Sequence, residues 1–357
     1  MKKCDIVIPV WNELESTREC IESVKKFTHH PYHLIIIDNG SLEPTRIYLD
    51  RLVEESDNLQ LLRNEHNLGF VKAINQGIAH SKAPYVCLLN NDAYVTDNWL
   101  MFLIETIESG SDDMGIANPT SNVFGKSRPD GKRKEWQELE SCRGFCMLIK
   151  REILEKIVCF DEVYGMGYFE EKDFCKRAQK IGYRSIRSKA SFVFHKDRLS
   201  FDKIEDRENI FEKNKQRFVA KWGRQLRVAY VLYPEKDKEA AGRISLCINR
   251  IVKLGHQAWI FTSGGSKEKL RLIDHEGIRF FIYPRLFFSL IALYKLWKKK
   301  EKKRLDVILT NSDAGYRFFR LFKNILNAEV TLEKEISMVE KSLQSISFAI
   351  YDKHERP

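Results

Sequence analysis

Wherever an early apolar run of this chain stops, residues able to ligate a cation or take up a proton follow. Ile6-Val-Ile-Pro9 leads into Val-Trp-Asn-Glu13, Leu34 to Ile37 into Asp38-Asn-Gly-Ser41, Leu59 to Leu62 into Asn64 and Asn67-Leu-Gly-Phe70, and Tyr85 to Leu89 into Asn90-Asn-Asp92. Singly, each has a bland explanation: turn residues tolerant of the left-handed region, a loop before a helix, an N-cap aspartate. Their serial placement instead favours one crevice, because open α/β sheets gather ligands at the carboxyl ends of their strands. A second acidic group, Glu170-Glu-Lys-Asp173, follows Gly165-Met-Gly-Tyr-Phe169, and His195 follows the apolar run Ser191 to Phe194. The acidic start of a helix is favoured by the helix dipole, which explains the charge but not the glycine-rich approach.

The elements that must position these groups alternate. Strand patterns at 6–9, 34–37, 59–62 and 85–89 are separated by helical patterns at 15–27, 45–55 and 70–80, which predicts a parallel sheet with helices on both faces. Residues 121–140 are polar and turn-rich and read as a mobile loop. Order is expected again over 142–149, then helices over 151–157 and 170–181, in which Asp173 and Arg177 share a face four residues apart. Near Arg224 the alternation restarts with a strand at 226–232, a helix at 241–254 and a strand at 258–261. The predicted fold class is therefore α/β: a first unit over 1–224 with a mostly parallel sheet, then a second Rossmann-like unit over 225–357.

At this point the first ~220 residues resemble an inverting family-2 glycosyltransferase of the GT-A fold. The resemblance implies that Pro9, Trp11, Asn12 and Glu13 line a base and ribose pocket and that Asp38 accepts a hydrogen bond from the base. It implies that Asn67, Gly69, Lys72 and Asn91 lie around the nucleotide and its phosphates. Asn90-Asn91-Asp92 stands where the family has its D-x-D motif. Mn2+ or Mg2+ held by Asp92, with Asn90 as a neutral donor and His195 completing the site, would neutralise a departing pyrophosphate. Glu171 falls at the family's base, with Glu170 its neighbouring competitor and Asp173 a third candidate better suited to support. Gly144 and Phe145 would lie near the acceptor, and Trp136 would stack on a sugar or merely pack. The implied partners are a nucleotide-sugar donor, UDP- or dTDP-linked, and a glycan or lipid-linked acceptor in polysaccharide or glycolipid synthesis.

Bulk properties exclude little but agree. With 357 residues, 43% hydrophobic and 31% charged, the chain is globular and long enough for two domains. No adequate signal-peptide core follows Lys2 and Lys3, so a cytoplasmic location is expected. The eight cysteines lack paired C-x-x-C spacing and read as reduced core thiols. A net charge of +10 is compatible with nucleic acid, anionic lipid or an acidic small substrate, but no basic-aromatic or recognition-helix pattern supports nucleic acid. The charge peaks in Lys295 to Arg304, just after the apolar segment 286–294. That segment is too short to span a bilayer. It reads equally as a peripheral contact with the inner face of the cell membrane and as a buried helix with a basic end.

The second unit resembles the amino-terminal half of a family-4 GT-B glycosyltransferase in Val228 to Leu232, Ala241-Gly242, Leu254-Gly-His256 and Val307 to Ser312. A complete enzyme of that type needs a donor-binding second half, for which the residues to Pro357 leave no room, so this unit is expected not to transfer sugar by itself. Residues 330–345 read as an amphipathic helix. Two other functions stay open: a non-catalytic scaffold for nucleotide sugar or glycan, and a sugar nucleotidyltransferase, against which stands the lack of a glycine-rich phosphate loop after the first strand.

Overall fold

The computed structural model describes residues 3–157, 159–196, 206–234, 237–263, 269–298, 305–333 and 336–354. Within it the chain divides into two compact units, residues 1–218 and 219–357.

The first unit opens with β1 (Cys4–Val10), α1 (Leu14–Phe27), β2 (Tyr32–Asn39), α2 (Glu43–Glu54), β3 (Leu59–Asn64), α3 (Phe70–His80) and β4 (Tyr85–Leu89). Then come β5 (Ala93–Val95), α4 (Trp99–Ser109), β6 (Met114–Thr120), β7 (Trp136–Leu139), β8 (Cys146–Lys150), α5 (Arg151–Lys156), α6 (Glu170–Lys180), β9 (Arg184–His195) and α7 (Arg207–Trp222). The sheet has nine strands in the order β3-β2-β1-β4-β8-β6-β9-β5, with β7 beside β9. Strands β3, β2, β1 and β4 run parallel, β8 is antiparallel to β4 and β6, and β9 is parallel to β6.

Alternate side chains of the central strands feed opposite faces, as the two-residue period of a strand requires. Ile6, Ile8, Leu34 and Ile36 pack with Cys20, Ile21 and Val24 of α1, Leu49 of α2 and Trp99 of α4. Val7, Ile35 and Ile37 pack on the other face with Val71 and Ile74 of α3, Ile153 of α5 and Phe174 of α6. Both faces are covered, which explains why these strands read as unbroken apolar runs.

Residues 121–140 depart from the expected mobile loop. Ser121 caps a short 3-10 turn over Asn122–Phe124, and β7 pairs antiparallel with β9 from Trp136↔Ser188 to Leu139↔Ser185. Arg187, only 5% exposed, ties the intervening segment down through Asp130 at 3.1 Å. The polar composition that suggested mobility supplies these bonds.

The second unit contains β10 (Arg227–Leu232), α8 (Lys238–Lys253), β11 (Gln257–Ser263), β12 (Ile278–Tyr283), α9 (Phe288–Trp297), β13 (Val307–Thr310), α10 (Asp313–Leu321), α11 (Lys323–Leu326), β14 (Glu329–Leu332) and α12 (Ile336–His354). Its five strands are all parallel in the order β12-β11-β10-β13-β14, a Rossmann-like arrangement. The helix expected over 330–345 begins later, because Glu329 to Leu332 extends the sheet beside β13. Of the basic run, Lys295 and Lys298 are described, whereas Lys299, Lys300, Lys302, Lys303 and Arg304 lie outside the described residues. All eight cysteines are free thiols. Among the described residues no helix is long and apolar enough to cross a membrane.

Candidate active site

A cleft opens where β1, β2 and β4 end. Pro9, Val10, Trp11, Asn39, Asn67, Phe70, Met166 and Asn90 to Asp92 line it. The backbone there is specialised: Asn12 and Glu13 lie in the left-handed region with φ of 57° and 54°, immediately before α1. Adjacent non-glycine residues in that region cost roughly 1–3 kcal/mol each and persist only where contacts enforce them. Here Asn12 supplies such contacts, accepting from Leu42 N–H at 2.8 Å and donating its own N–H to Ser41 Oγ at 2.9 Å.

The loop between β3 and α3 is held by an asparagine network. The Asn39 amide donates to Asn67 Oδ1 at 2.8 Å and accepts from Leu68 N–H and Asn64 Nδ2, each at 3.0 Å. Asn67 Oδ1 also accepts from Gly69 N–H at 2.9 Å, so its carbonyl shapes the loop. Gly69, with φ of 89°, lets this loop meet the Gly165 carbonyl, which an added Cβ would approach to 3.0 Å.

Asp38, expected at the base, is placed away from the cleft. Its side chain is fully buried, one oxygen accepting from Ser41 N–H and the other from Arg63 Nε, both at 2.9 Å, and it does not line the cleft. Of this adjacent pair, Asn39 is the one that lines the cleft. Lys72 stands exposed in the first turn of α3 and Glu13 at the start of α1; neither lines the cleft.

At the end of β4 the D-x-D-like segment meets β9. His195 Nε2 lies 3.0 Å from Asp92 Oδ1 and 3.5 Å from the Asn90 amide. Pairing of Ala93 with His195 between β5 and β9 fixes this approach, and Asn122 grips the His195 backbone with two bonds of 2.8 and 2.9 Å. Asn91 turns inward and donates to Thr17 Oγ1 at 2.9 Å, anchoring the segment to α1. Asp92 is only 6% exposed, and beyond its approach to His195 its Oδ1 accepts no hydrogen bond. A buried carboxylate oxygen in that state, beside an imidazole and an amide, suits a divalent cation whose remaining positions are filled by phosphate oxygens and water. The described residues hold no group of three or more acidic, histidine or cysteine ligands, so by themselves they offer an incomplete shell.

The glutamate pair opens α6, four residues beyond Met166, which lines the cleft; neither glutamate is among the lining residues. Tyr168 and Phe169, with φ of 70° and 73°, form a second adjacent left-handed pair directly before Glu170. They are clamped by α7: Phe211 meets both rings at 5.4 Å, Phe218 meets Phe169 at 5.4 Å, and Asn214 donates to the Tyr164 and Gly167 carbonyls at 2.8 and 2.7 Å. Glu170 is 5% exposed, and its Oε2 has no hydrogen-bond partner. Burial, reinforced by the neighbouring Glu171 charge, pushes the Glu170 carboxyl well above the usual carboxylate range. Glu171 itself is half-buried.

Asp173, a third candidate base, is fully buried and paired with Arg177 Nε at 2.7 Å. It supports α6 and is not presented to a substrate. Gly144 faces Glu170, since an added Cβ would lie 3.8 Å from Glu170 Oε1. Phe145 is a core residue, 4% exposed, whose ring lies 5.1 Å from that of His195 and whose carbonyl accepts from Asn90 N–H; it backs the Asp92 corner and is not an open acceptor surface. Trp136 packs: it starts β7 under the Arg184 guanidinium at 5.3 Å.

Sequence reasoning missed Asn39, Thr17, Asn122 and Asn214. Asn39 had a local signal, its place in Asp-Asn-Gly-Ser at a strand end; the others act through partners 47 to 74 residues away.

Residues 5–158 match the family described as Glycosyl transferase family 2. The chain is also 29% identical over 189 residues to the glycosyltransferase AglE of Haloferax volcanii, covering 50% of this chain and 62% of that protein. To the amylovoran biosynthesis glycosyltransferase AmsB of Erwinia amylovora it is 27% identical over 203 residues, covering 51% and 65%. It spans less than two thirds of the length of these relatives. Among solved structures, that of GalNAc-T7 with UDP, GalNAc and Mn2+ superposes with a TM-score of 0.52 at 16% identity, covering 62% of this chain and 49% of the other. The family-2 match and this superposition give the first unit the GT-A type of fold. The second unit's parallel sheet stands by itself as an α/β unit, and its likeness to family 4 has no support here beyond the sequence.

Proposed function

We propose that residues 1–224 form an inverting glycosyltransferase domain that moves a sugar from a UDP- or dTDP-linked donor to an acceptor hydroxyl during polysaccharide or glycolipid synthesis. The observation that carries this reading is the Asp92–His195–Asn90 corner at the mouth of a cleft lined by Trp11 and the asparagine-held loop. Relatives support the reaction class: AglE and AmsB are named glycosyltransferases, and AmsB takes part in making amylovoran.

In this reading Trp11 and Pro9 flank the base, while Asn67 and Gly69 shape the loop around the nucleotide. Asp92, His195 and Asn90 would hold Mn2+ or Mg2+, which would neutralise charge on the leaving nucleoside diphosphate. At the start of α6 Glu171 takes the acceptor's hydroxyl proton as the new glycosidic bond forms. Burial pushes the Glu170 carboxyl above the usual carboxylate range and leaves its Oε2 shut away, whereas Glu171 is the half-buried member of the pair. Displacement by direct attack from the face opposite the leaving group inverts the anomeric carbon.

The test is a calorimetric titration with UDP, dTDP and GDP, each with and without Mn2+. Manganese-dependent binding of one nucleotide is expected, with loss of the manganese effect in Asp92→Ala. Binding of none would move the reading to a non-catalytic scaffold, and an unchanged manganese effect in Asp92→Ala would remove Asp92 as a ligand.

A further inference from the structure

The second unit exposes an apolar surface that its own fold does not explain. Helix α9 buries Phe288, Ala292 and Leu296 against the sheet, packed with Trp259, Phe261 and Ile308. That one-sided stripe, at the spacing of a helix turn, already satisfies the core. Yet the opposite face is apolar too: Leu290, Tyr294 and Trp297 are 54%, 47% and 60% exposed, at i, i+4 and i+7. Just ahead of the helix Leu286 and Phe287 are 71% and 66% exposed, and Ile325 of α11 shares a hollow with Trp297. Clustered exposure of this size marks a contact surface, whereas single exposed apolar residues need no explanation.

Charge identifies what covers it. From Arg285 to Lys298 the sequence holds three basic residues, Arg285, Lys295 and Lys298, and no acidic one. All three are exposed, and the Lys298 ammonium lies 5.6 Å from the centre of the Tyr294 ring. The chain that follows adds further lysines by sequence. Pairing this face with itself in a two-fold dimer would set like charges together. Aromatic and aliphatic side chains rimmed by cations suit a different occupant, the interface of a bilayer with anionic headgroups, where tryptophan and tyrosine lie at headgroup level and lysine stems reach outward.

We propose that the outer face of α9, with Leu286 and Phe287, docks the protein on an anionic lipid surface. This does not depend on the sugar-transfer reading, and its readout is lipid binding alone. The full chain is sedimented with vesicles of phosphatidylcholine and with vesicles of equal parts phosphatidylcholine and phosphatidylglycerol. Binding to the mixed vesicles only, weakening with salt, is expected. Substituting Leu290→Ser, Tyr294→Ser and Trp297→Ser together should weaken it by roughly tenfold or more, with circular dichroism checking the fold. A second variant, Lys295→Glu with Lys298→Glu, alters only exposed side chains and should lower binding by a similar factor. Absence of binding to the mixed vesicles, equal binding to both vesicle types, or binding unmoved by either variant would overturn the proposal. So would a dimer in solution that the triple variant dissociates, because the face would then belong to a second copy.

Discussion

Glu170 and Glu171 are neighbours in sequence with opposite circumstances: one is buried without a partner for Oε2, the other half-exposed. Because burial raises the Glu170 pKa above its unfolded value, the folded state binds its proton more tightly. The associated stability is complete below the unfolded pKa of about 4.3 and is lost as pH rises through the raised folded value. Glu170→Gln should therefore unfold at a higher temperature than the parent, with a gap that widens as pH rises. Each unit by which the folded pKa stands above the unfolded one is worth about 1.4 kcal/mol once pH exceeds the folded value, and 1 kcal/mol shifts Tm by about 2–4 °C in a domain of this size. A thermal melt series across pH checks this, and a gap that narrows towards alkaline pH would contradict it. Glu171→Gln should instead leave Tm nearly unmoved, abolish transfer and keep donor binding. Near-normal transfer in that variant would shift the role of base to Glu170.

At the scale of elements, the site depends on how closely the end of β2 approaches the loop before α3. Gly40 has φ of 78°, and an added Cβ would lie 2.6 Å from the His66 backbone. Gly40→Ala must push the Asn67–Gly69 loop away or leave the left-handed region, at a cost of at least about 1–2 kcal/mol. Urea unfolding should report that loss, and nucleotide affinity should fall with it; unchanged affinity would mean that the loop does not shape the donor site. The strands and helices that place this loop were legible in the sequence, because β1 to β4 and α1 to α3 repeat a local period. The loop's two-sided packing was only half legible: glycine and asparagine signalled a turn, but not that Asn39 bridges it. The later elements were harder. Trp99–Ser109 is so rich in apolar residues that its stripe is broad, and β7 lies in a polar stretch whose bonds go to β9, about 50 residues away. The Asp92–His195 approach depends on the short β5–β9 pairing, which no local pattern announces.

At the scale of the whole chain, α7 decides where the proposed catalytic domain can end. The sequence placed the boundary near Arg224 from a fresh strand pattern alone, and the two compact units divide between Phe218 and Val219. Helix α7 reaches across this position, yet its first three turns serve the first unit: Phe211 and Phe218 cover Tyr168 and Phe169, and Asn214, 2% exposed, satisfies two carbonyls of the turn before α6. Those contacts enforce the left-handed pair that aims Glu170 and Glu171, and relaxing such a pair returns roughly 1–3 kcal/mol per residue to other conformations. A chain of residues 1–224 should therefore bind nucleotide like the full protein and transfer sugar. One ending at 206 should lose transfer and bind nucleotide more weakly, since α7 holds through Asn214 the turn whose Met166 lines the cleft and whose Gly165 meets the Gly69 loop. Measuring both activities in the two truncations tests this. Equal transfer by both would show that α6 holds its own start, and loss of nucleotide binding by residues 1–224 would show that this segment does not suffice for the donor site.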